Sequence, residues 1–338
     1  MPAKASEATA DTAAVSGDRR PQRDVLAWFA RYGTVLSLLL LTLFFSVLSS
    51  DVFATIRNLL SVLNQVSILG VMALGLTVCL VMGLFDLSIA ALATFGGYVV
   101  TKLLVDHPSL PVLPAIVGVL LLAGLIGVFN GVLVSYLGIS AFIETLAMGS
   151  IMTGVILGIS ESRTVLGGIP EEFLLLGQGS VAGVPNTVLI MLLVAALLWV
   201  FLEHTQMGRN LYAIGGNAEA SRLSGIAVRR YALLALGVSA ACASLGGLMA
   251  AANLGAGRPQ GVGDTYLLNA FAAVFIGAST LRPGQFHILG TLVGVLLIGV
   301  INNGLSILGV PTYWQYIVQG VLLMLALFSA GMLAMRRR

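Results

Sequence analysis

The chain has 338 residues, of which 58% are hydrophobic and only 9% are charged, and its mean hydropathy is +1.01. Soluble domains carry about a quarter charged residues, so this composition excludes a water-soluble globule and predicts a membrane protein. The formal net charge is +3, and the sequence has no clustered basic face of the kind that nucleic-acid binding requires.

The first 24 residues are polar and lack periodicity, and we expect them to form a disordered cytoplasmic tail. Residues 25–338 are predicted to form a polytopic transmembrane domain. Its first apolar run is preceded by four arginines, which favours an uncleaved signal anchor over a cleaved signal peptide. The four are Arg19, Arg20, Arg23 and Arg31.

A helix that crosses a bilayer needs roughly 20 apolar residues, and the chain contains ten runs of about that length. They cover residues 33–49, 66–83, 87–105, 112–136, 140–159, 187–203, 231–253, 265–281, 287–307 and 313–334. The sequence therefore predicts an all-α membrane protein with about ten transmembrane helices. The glycine-containing segment 83–88 leaves the boundary between the second and third helices open.

Ten spans place both termini on the same side of the membrane. On this topology thirteen of the 17 lysines and arginines lie on that side, and the other four are Arg57, Lys102, Arg163 and Arg258. Because positive residues accumulate in cytoplasmic loops, we expect both termini and the loop 204–230 to be cytoplasmic. The opposite side receives the acidic loop 161–186.

The chain also contains a weak internal repeat. Residues 118–130 align with residues 290–302, each copy ends in an asparagine, and each continues into a Leu-Gly pair at nearly the same spacing. These are the fourth and ninth predicted spans, which cross the membrane in opposite directions. We therefore expect a five-plus-five inverted repeat, an architecture that commonly surrounds a transport path.

The long polar loop Thr205–Arg230 is predicted to contain a short helix. Asn217 follows two glycines and suits the N-cap position, Glu219 lies where the helix dipole favours a negative charge, and Gly225 suits the position after the C-cap. The chain then leaves the helix and enters the next apolar run.

Ala220, Leu223 and Ile226 are spaced three residues apart and are expected to share one apolar face of this helix. Such a helix could lie on lipid headgroups. Interfacial helices usually carry bulkier apolar residues and more lysine, so docking into a groove of a soluble partner is the better interpretation.

The loop resembles the coupling segment of the ribose-type permeases, the membrane subunits of ABC importers for monosaccharides, in the branched-chain amino acid/ribose permease superfamily. The resemblance implies that residues of this loop contact an ATPase: Gly215, Gly216, Asn217, Glu219, Ala220, Arg222, Leu223 and Gly225. Three further segments agree with the family and extend the resemblance over about Leu59 to Leu333. They are Gly83–Ser88, Asn130-Gly131 with Gly138–Ile143, and Asn302-Asn303-Gly304 with Tyr313-Trp314-Gln315.

Two segments depart from the family pattern. The family often shows Tyr-Glu-Leu-Asp after the position of Gly263, whereas this chain has residues 266–269, Tyr-Leu-Leu-Asn, without either carboxylate. A serine–glycine–glycine-like turn is replaced by Arg-Pro-Gly-Gln at residues 282–285. Both departures bear on the substrate more than on the fold.

The chain has no G-x-x-x-x-G-K-[ST] loop, and neither of its two lysines, Lys4 and Lys102, follows a glycine. It is therefore not expected to hydrolyse ATP. The resemblance implies a separate cytoplasmic ATP-binding subunit, an extracytoplasmic solute-binding protein, and a second permease copy or paralogue, assembled in the lipid of the inner membrane.

Catalysis, metal binding and cofactors are not expected for this chain. Cys79 and Cys242 fall inside apolar runs without a C-x-x-C spacing, so we interpret them as small core residues. His107, His204 and His287 lie near the ends of runs and lack metal-ligand spacing.

Asp86 and Glu144 are the two acidic residues predicted at membrane depth, where an ionisable group suggests a function. Proton-coupled transport is the corresponding alternative to ATP coupling. Asp86 immediately precedes a helix start, which favours a capping role, and Glu144 could face water at the cytoplasmic end of its span. Without an intramembrane lysine, arginine or histidine, the two carboxylates would be a poor path for proton transfer, so ATP coupling is favoured.

Neutral polar and aromatic residues near the spans suit the passage of an uncharged hydroxylated solute. With Asp86 they form a candidate substrate path: Asn64, Phe142, Asn302, Asn303 and Trp314, with Gln65, Thr145, Tyr313 and Gln315 nearby. Asn302 and Asn303 could instead join helices by hydrogen bonds. The sequence thus predicts the permease subunit of an ATP-driven importer for a monosaccharide, polyol or similar solute. A branched-chain amino-acid permease and a proton-coupled secondary carrier are the alternatives.

Overall fold

The computed structural model describes residues 20–335, and nearly all of its regular structure is α-helical. The first half contains α1 (Arg20–Leu48), α2 (Ser50–Phe53), α3 (Ile56–Val81), α4 (Ile89–Asp106), α5 (Val112–Tyr136) and α6 (Ala141–Ser160). A connection follows with β1 (Val165–Leu166), α7 (Glu171–Gln178), β2 (Ser180–Val181) and β3 (Val184–Pro185). The second half contains α8 (Asn186–His204), α9 (Gln206–Gly216), α10 (Ala218–Leu223), α11 (Val228–Leu254), β4 (Ala256–Gly257), α12 (Asp264–Ala278), α13 (Ile288–Ile307) and α14 (Thr312–Met335).

Each of the ten predicted apolar runs falls, to within a few residues at its ends, in one long helix: α1, α3, α4, α5, α6, α8, α11, α12, α13 or α14. Within the described part of the chain, eight of these helices are long and apolar enough to cross a membrane, and α12 is shorter, at 15 residues. The prediction of an all-α membrane protein is therefore confirmed. The count of ten spans and the cytoplasmic position of the termini stay predictions.

The N-terminal boundary differs from the predicted one. The disordered tail was expected to extend to residue 24, whereas α1 begins at Arg20 and residues 20–24 belong to it. The rest of the predicted tail, together with the last three arginines of the chain, lies outside the described residues.

The core of the bundle is α11, which packs against α3, α4 and α5. Small residues let these backbones approach closely, as is typical of helix packing in membranes. A Cβ at Gly247 of α11 would overlap the Ala93 carbonyl of α4, and a Cβ at Gly127 of α5 would overlap the Leu236 carbonyl of α11. Cys79 and Cys242 are free and buried in this core, as predicted.

The packing of the two halves is reciprocal. α5, the fourth long helix of the first half, packs on α11, while α13, the fourth long helix of the second half, packs on α3. Gly127 and Gly299 occupy aligned positions of the repeat, and each faces the opposite half, Gly127 against Leu236 and Gly299 against Val66. This reciprocal packing of the two halves supports the predicted inverted repeat.

Two short antiparallel pairings close the end of the bundle that lies away from α9 and α10. β1 pairs with β4, which ties the connection after α6 to the end of α11, and β2 pairs with β3 in a tight hairpin. Neither pairing was predicted from the sequence, because two-residue strands leave no periodic pattern.

Candidate functional site

The polar segment between α8 and α11 folds into two helices rather than the single predicted one. α9 begins after Thr205, whose hydroxyl oxygen accepts a hydrogen bond from the Gly208 amide at 3.1 Å. Leu211 and Ile214 on α9 are buried. Gly215 lies so close to the end of α3 that a Cβ there would overlap the Val81 carbonyl oxygen. α9 therefore attaches the polar segment to the helix bundle.

The caps predicted for the second helix, α10, are confirmed. The Asn217 side-chain oxygen accepts a hydrogen bond from the Ala220 amide at 2.9 Å. Gly225 adopts φ +84°, and its amide donates to the Arg222 carbonyl at 3.0 Å. The Ile226 amide donates to the Ser221 carbonyl, also at 3.0 Å. These two bonds form a Schellman motif, which fixes the direction in which the chain leaves α10.

The surface of α10 combines one exposed leucine with an ion pair. Leu223 is 76% exposed and Ala220 is also exposed. Arg222 Nη2 lies 2.6 Å from Glu219 Oε1, and its hydrogen bond holds the pKa of Glu219 below its usual value. The predicted apolar face is wrong in one respect: Ile226 lies beyond the helix and packs half-buried against the core, because the Schellman motif turns it inward.

A polar network joins α9 to the connection between α12 and α13. The Tyr212 hydroxyl donates to the Phe286 carbonyl at 3.1 Å and lies 3.3 Å from Glu203 Oε1 at the end of α8. Arg282 Nη1 donates to both Glu203 oxygens, at 2.6 and 2.8 Å. Burial of Tyr212, reinforced by Glu203, raises the pKa of its hydroxyl, and the bond to Glu203 raises the pKa of Arg282. The unusual Arg-Pro-Gly-Gln turn is thus bonded to the α8–α9 region.

A cavity of about 450 Å³ opens beside this network and is lined by residues of α3, α8, α9 and the α12–α13 connection. Gly215 and Gly216 line it together with Glu203, Arg209 and Arg282. The cavity leaves space beside α9, so α9 packs on the bundle through a few contacts. The tightest of them is the contact between Gly215 and Val81 at the end of α3.

Asp86 closes a turn in the irregular segment between α3 and α4. Its Oδ1 accepts a hydrogen bond from the Ser88 amide at 3.0 Å and another from the Ser88 hydroxyl. The predicted capping role is wrong, because Ser88 is the N-cap of α4 and the amide that Asp86 accepts from precedes the helix. Oδ2 is buried and has no partner among the described residues.

Glu144 is buried, with 5% of its side chain exposed, which contradicts the expectation that it could face water. It lies in the first turn of α6, next to Asn130 of α5. With the Asn130 amide turned so that its nitrogen faces Glu144, that nitrogen donates to Glu144 Oε1 at 3.2 Å. Among the described residues, no lysine, arginine or histidine bonds to Asp86 or Glu144. The described residues also contain no cluster that could hold a metal ion.

Among the cavities that the described residues form, none is lined by all six predicted path residues. Asn64 accepts a hydrogen bond from Thr187 of α8, and Asn303 exchanges two amide hydrogen bonds of 3.0 Å with Asn58 of α3. Phe142 and Trp314 are about half exposed on the surface of the helix bundle. Asp86 belongs to the turn described above. Of the six residues, Asn302 lines a cavity that contains polar groups.

That cavity lies at the opposite end of the bundle from α10, between α3, α11, α12, α13 and α14. Gln65 and Gln315, both noted in the sequence, line it with Asn302. Further polar lining residues were not predicted, namely Asn253 of α11, Tyr266 and Asn269 of α12, and Gln319 of α14. The departure from the family pattern at residues 266–269 pointed towards Tyr266 and Asn269, and no sequence signal pointed towards Asn253 or Gln319.

Comparison with known proteins agrees with this architecture. Residues 58–327 match the family model described as the branched-chain amino acid transport system permease component. The chain belongs to this permease family. It is 37% identical to the ribose import permease of Escherichia coli over 303 residues, which are 89% of this chain and 93% of the relative.

Further relatives of this permease are also named for sugars. It is 35% identical over 313 residues to the D-allose transport system permease of Escherichia coli, which covers 92% of this chain and 94% of the relative. It is 31% identical over an alignment of 359 positions, gaps included, to the xylose transport system permease of Haemophilus influenzae, which covers 88% of this chain and 95% of the relative. No solved structure matches the permease significantly.

The N-cap of α10 supplies a first testable prediction for this permease. Replacing Asn217 with alanine removes the acceptor for the Ala220 amide and should destabilise α10 by about 1 kcal/mol. Hydrogen exchange at Ala220 should then be about fivefold faster. Asn217→Asp keeps an acceptor oxygen in the same place and should retain the slower exchange. Equal exchange rates in the two variants would contradict the capping role.

Proposed function

We propose that the chain is the membrane-spanning subunit of an ATP-driven importer in the inner membrane, and that it carries a monosaccharide, polyol or similar small polar solute. Relatives at 31–37% identity are named as permeases for ribose, allose and xylose. The single structural observation that carries the proposal is α10, a doubly capped helix with a 76% exposed leucine outside the apolar bundle.

In this proposal α9 and α10 form a coupling segment, residues 206–225, that a separate cytoplasmic ATP-binding subunit contacts. Leu223 would enter a groove on that subunit, because an exposed apolar anchor on a rigid helix is a common docking mode. The remaining partners are an extracytoplasmic solute-binding protein and a second copy or paralogue of the permease, with the solute passing by alternating access.

Two sets of contacts can pass movement of the coupling segment to the bundle. Gly215 rests on the end of α3. Tyr212 reaches the α12–α13 connection, where Arg282 binds Glu203. A rigid displacement of α9 would therefore act on α3 and on the start of α13, two helices that pack against each other.

The alternatives fit the geometry less well. A branched-chain amino acid is a zwitterion whose charges need partners when they leave water, yet no charged residue lines the cavity around Asn302 in the described structure. A proton-coupled carrier would use Asp86 and Glu144. The described residues give neither carboxylate a cationic partner, and Asp86 is held by Ser88.

Reconstitution in proteoliposomes tests the proposal. The complete transporter should take up at least one of ribose, allose, xylose and arabinose when ATP is supplied to the ATPase side, and should not take up leucine. An imposed pH gradient without ATP should drive no uptake. Leucine uptake would favour the amino-acid alternative, and uptake driven by the pH gradient would favour the secondary carrier.

The ion pair between Glu203 and Arg282 supplies a second prediction. Charge reversal at either residue, Glu203→Arg or Arg282→Glu, should weaken the contact between the end of α8 and the α12–α13 connection about fivefold, because a well-formed, partly exposed pair is worth about 1 kcal/mol. The number of solute molecules moved per ATP should fall as a result. The double reversal should restore most of the coupling. A double variant as poor as the singles would mean that the pair does not transmit movement.

A further inference from the structure

The cavity around Asn302 has a volume of about 280 Å³. A water molecule takes up about 30 Å³ of the liquid, so the cavity has room for about nine waters or for one small organic solute. Its polar lining is neutral, since the described residues around it carry amides and hydroxyls but no charge. The cavity therefore combines neutral polar groups with apolar ones such as Val66, Leu69 and Ile298, and it is not suited to ions.

Asn269 of α12 is the unusual member of this lining. Its side chain is only 6% exposed, and its amide nitrogen donates to the Thr265 carbonyl at 3.0 Å. Its amide oxygen is buried and has no hydrogen-bond partner among the described residues. An unsatisfied buried polar atom costs about 1–3 kcal/mol, so a donor in the cavity would stabilise the site once the amide oxygen, which water does not reach in this conformation, turns towards it.

We propose that this cavity is a solute subsite within the permease, that it takes an uncharged polyhydroxylated molecule of monosaccharide size, and that Asn269 Oδ1 accepts a hydrogen bond from one of its hydroxyl groups. The inference rests on the proposed function and places part of the solute selectivity in the membrane subunit itself.

The rest of the lining suits the same solute. Gln65, Asn302 and Gln315 carry amides, which can donate to and accept from hydroxyl groups. Tyr266 and Tyr316 add aromatic surface, against which the C–H face of a sugar ring can pack. A site built from neutral hydrogen-bonding groups discriminates against analogues without hydroxyls, because its polar atoms would then stay unpaired.

Protection from thiol labelling tests the subsite in membrane vesicles that contain the complete transporter. Gln315→Cys and Thr265→Cys each place a thiol in the cavity wall, and Val181→Cys places one in the hairpin β2–β3 outside it. The native cysteines are buried, so their background labelling should be low. Ribose, allose, xylose and arabinose serve as probes at millimolar concentration, with leucine as the comparison compound.

At least one sugar should slow labelling of both cavity cysteines several-fold without affecting Val181→Cys, and leucine should not. In the Asn269→Leu background, which removes the acceptor at similar size, the sugar concentration for half-protection should rise about tenfold. In the Asn269→Asp background, which keeps an acceptor oxygen, it should rise by less than about threefold. The difference between the two variants separates the effect of the hydrogen bond from the effect of the shape of the side chain.

Each outcome bears on the inference. Failure of every sugar to protect, protection by leucine instead, or equal protection in the Leu and Asp backgrounds would overturn it. Protection without ATP-driven uptake would keep the subsite and refute the proposed function. Uptake without protection would keep the proposed function and refute the subsite.

Discussion

Replacing Leu223 with serine should cost the permease most of its affinity for the ATP-binding subunit while leaving its own fold intact. The side chain is 76% exposed, so little core packing is lost within the chain. Burying a leucine side chain that was exposed to water contributes about 2 kcal/mol. We therefore expect about a thirtyfold weaker complex, measured by co-purification of the ATP-binding subunit, and a matching loss of uptake.

Leu166→Ser is the matched control for this prediction. Leu166 is 74% exposed but lies in β1, at the end of the bundle away from α10. Its replacement removes the same apolar surface and should leave co-purification and ATP-driven uptake at the level of the unmodified permease. Full co-purification with Leu223→Ser, or equal losses in both variants, would show that α10 is not the docking surface.

Replacing Gly215 with alanine should uncouple transport from ATP hydrolysis, because α9 could no longer rest on the end of α3. The added Cβ would overlap the Val81 carbonyl, a backbone atom that cannot turn away as a side chain can. Overpacking of this kind costs about 1–3 kcal/mol or more. We expect ATP hydrolysis to continue while solute uptake falls at least tenfold, together with a lower thermal unfolding midpoint.

Gly216→Ala provides a neighbouring control in the same helix. A Cβ at Gly216 would meet no atom within 4 Å. Its stability effect should therefore stay within about 0.5 kcal/mol, as is usual for surface substitutions. Tight coupling in Gly215→Ala, or equal damage from both alanines, would mean that the contact between α9 and α3 does not carry the movement.

Local chemistry made parts of this structure predictable. The caps of α10 depend on residues within the helix and its flanks, so Asn217 and Gly225 could be identified from their order in the chain. The ten apolar runs follow from the length that a bilayer imposes. α9 was missed because its buried face consists of little more than Leu211 and Ile214, too short a stripe to show a helical period.

Contacts between distant residues could not be read from the sequence. Asn303 was a candidate path residue, but its partner Asn58 lies 245 positions away and satisfies its amide. Glu144 is buried because α5 brings Asn130 to it, which no local pattern indicates. The polar cavity draws Gln65, Asn269 and Gln315 from three helices, so it exists only once the helices pack.

Site-specific photocrosslinking from position 223 tests the central claim most directly. A photoreactive residue would replace Leu223 in one variant and Leu166 in the other, in membranes that contain the complete transporter. We expect position 223 to crosslink to the ATP-binding subunit and position 166 to give no such product. Crosslinks from position 223 to lipid or to the solute-binding protein, with none to the ATP-binding subunit, would contradict the account.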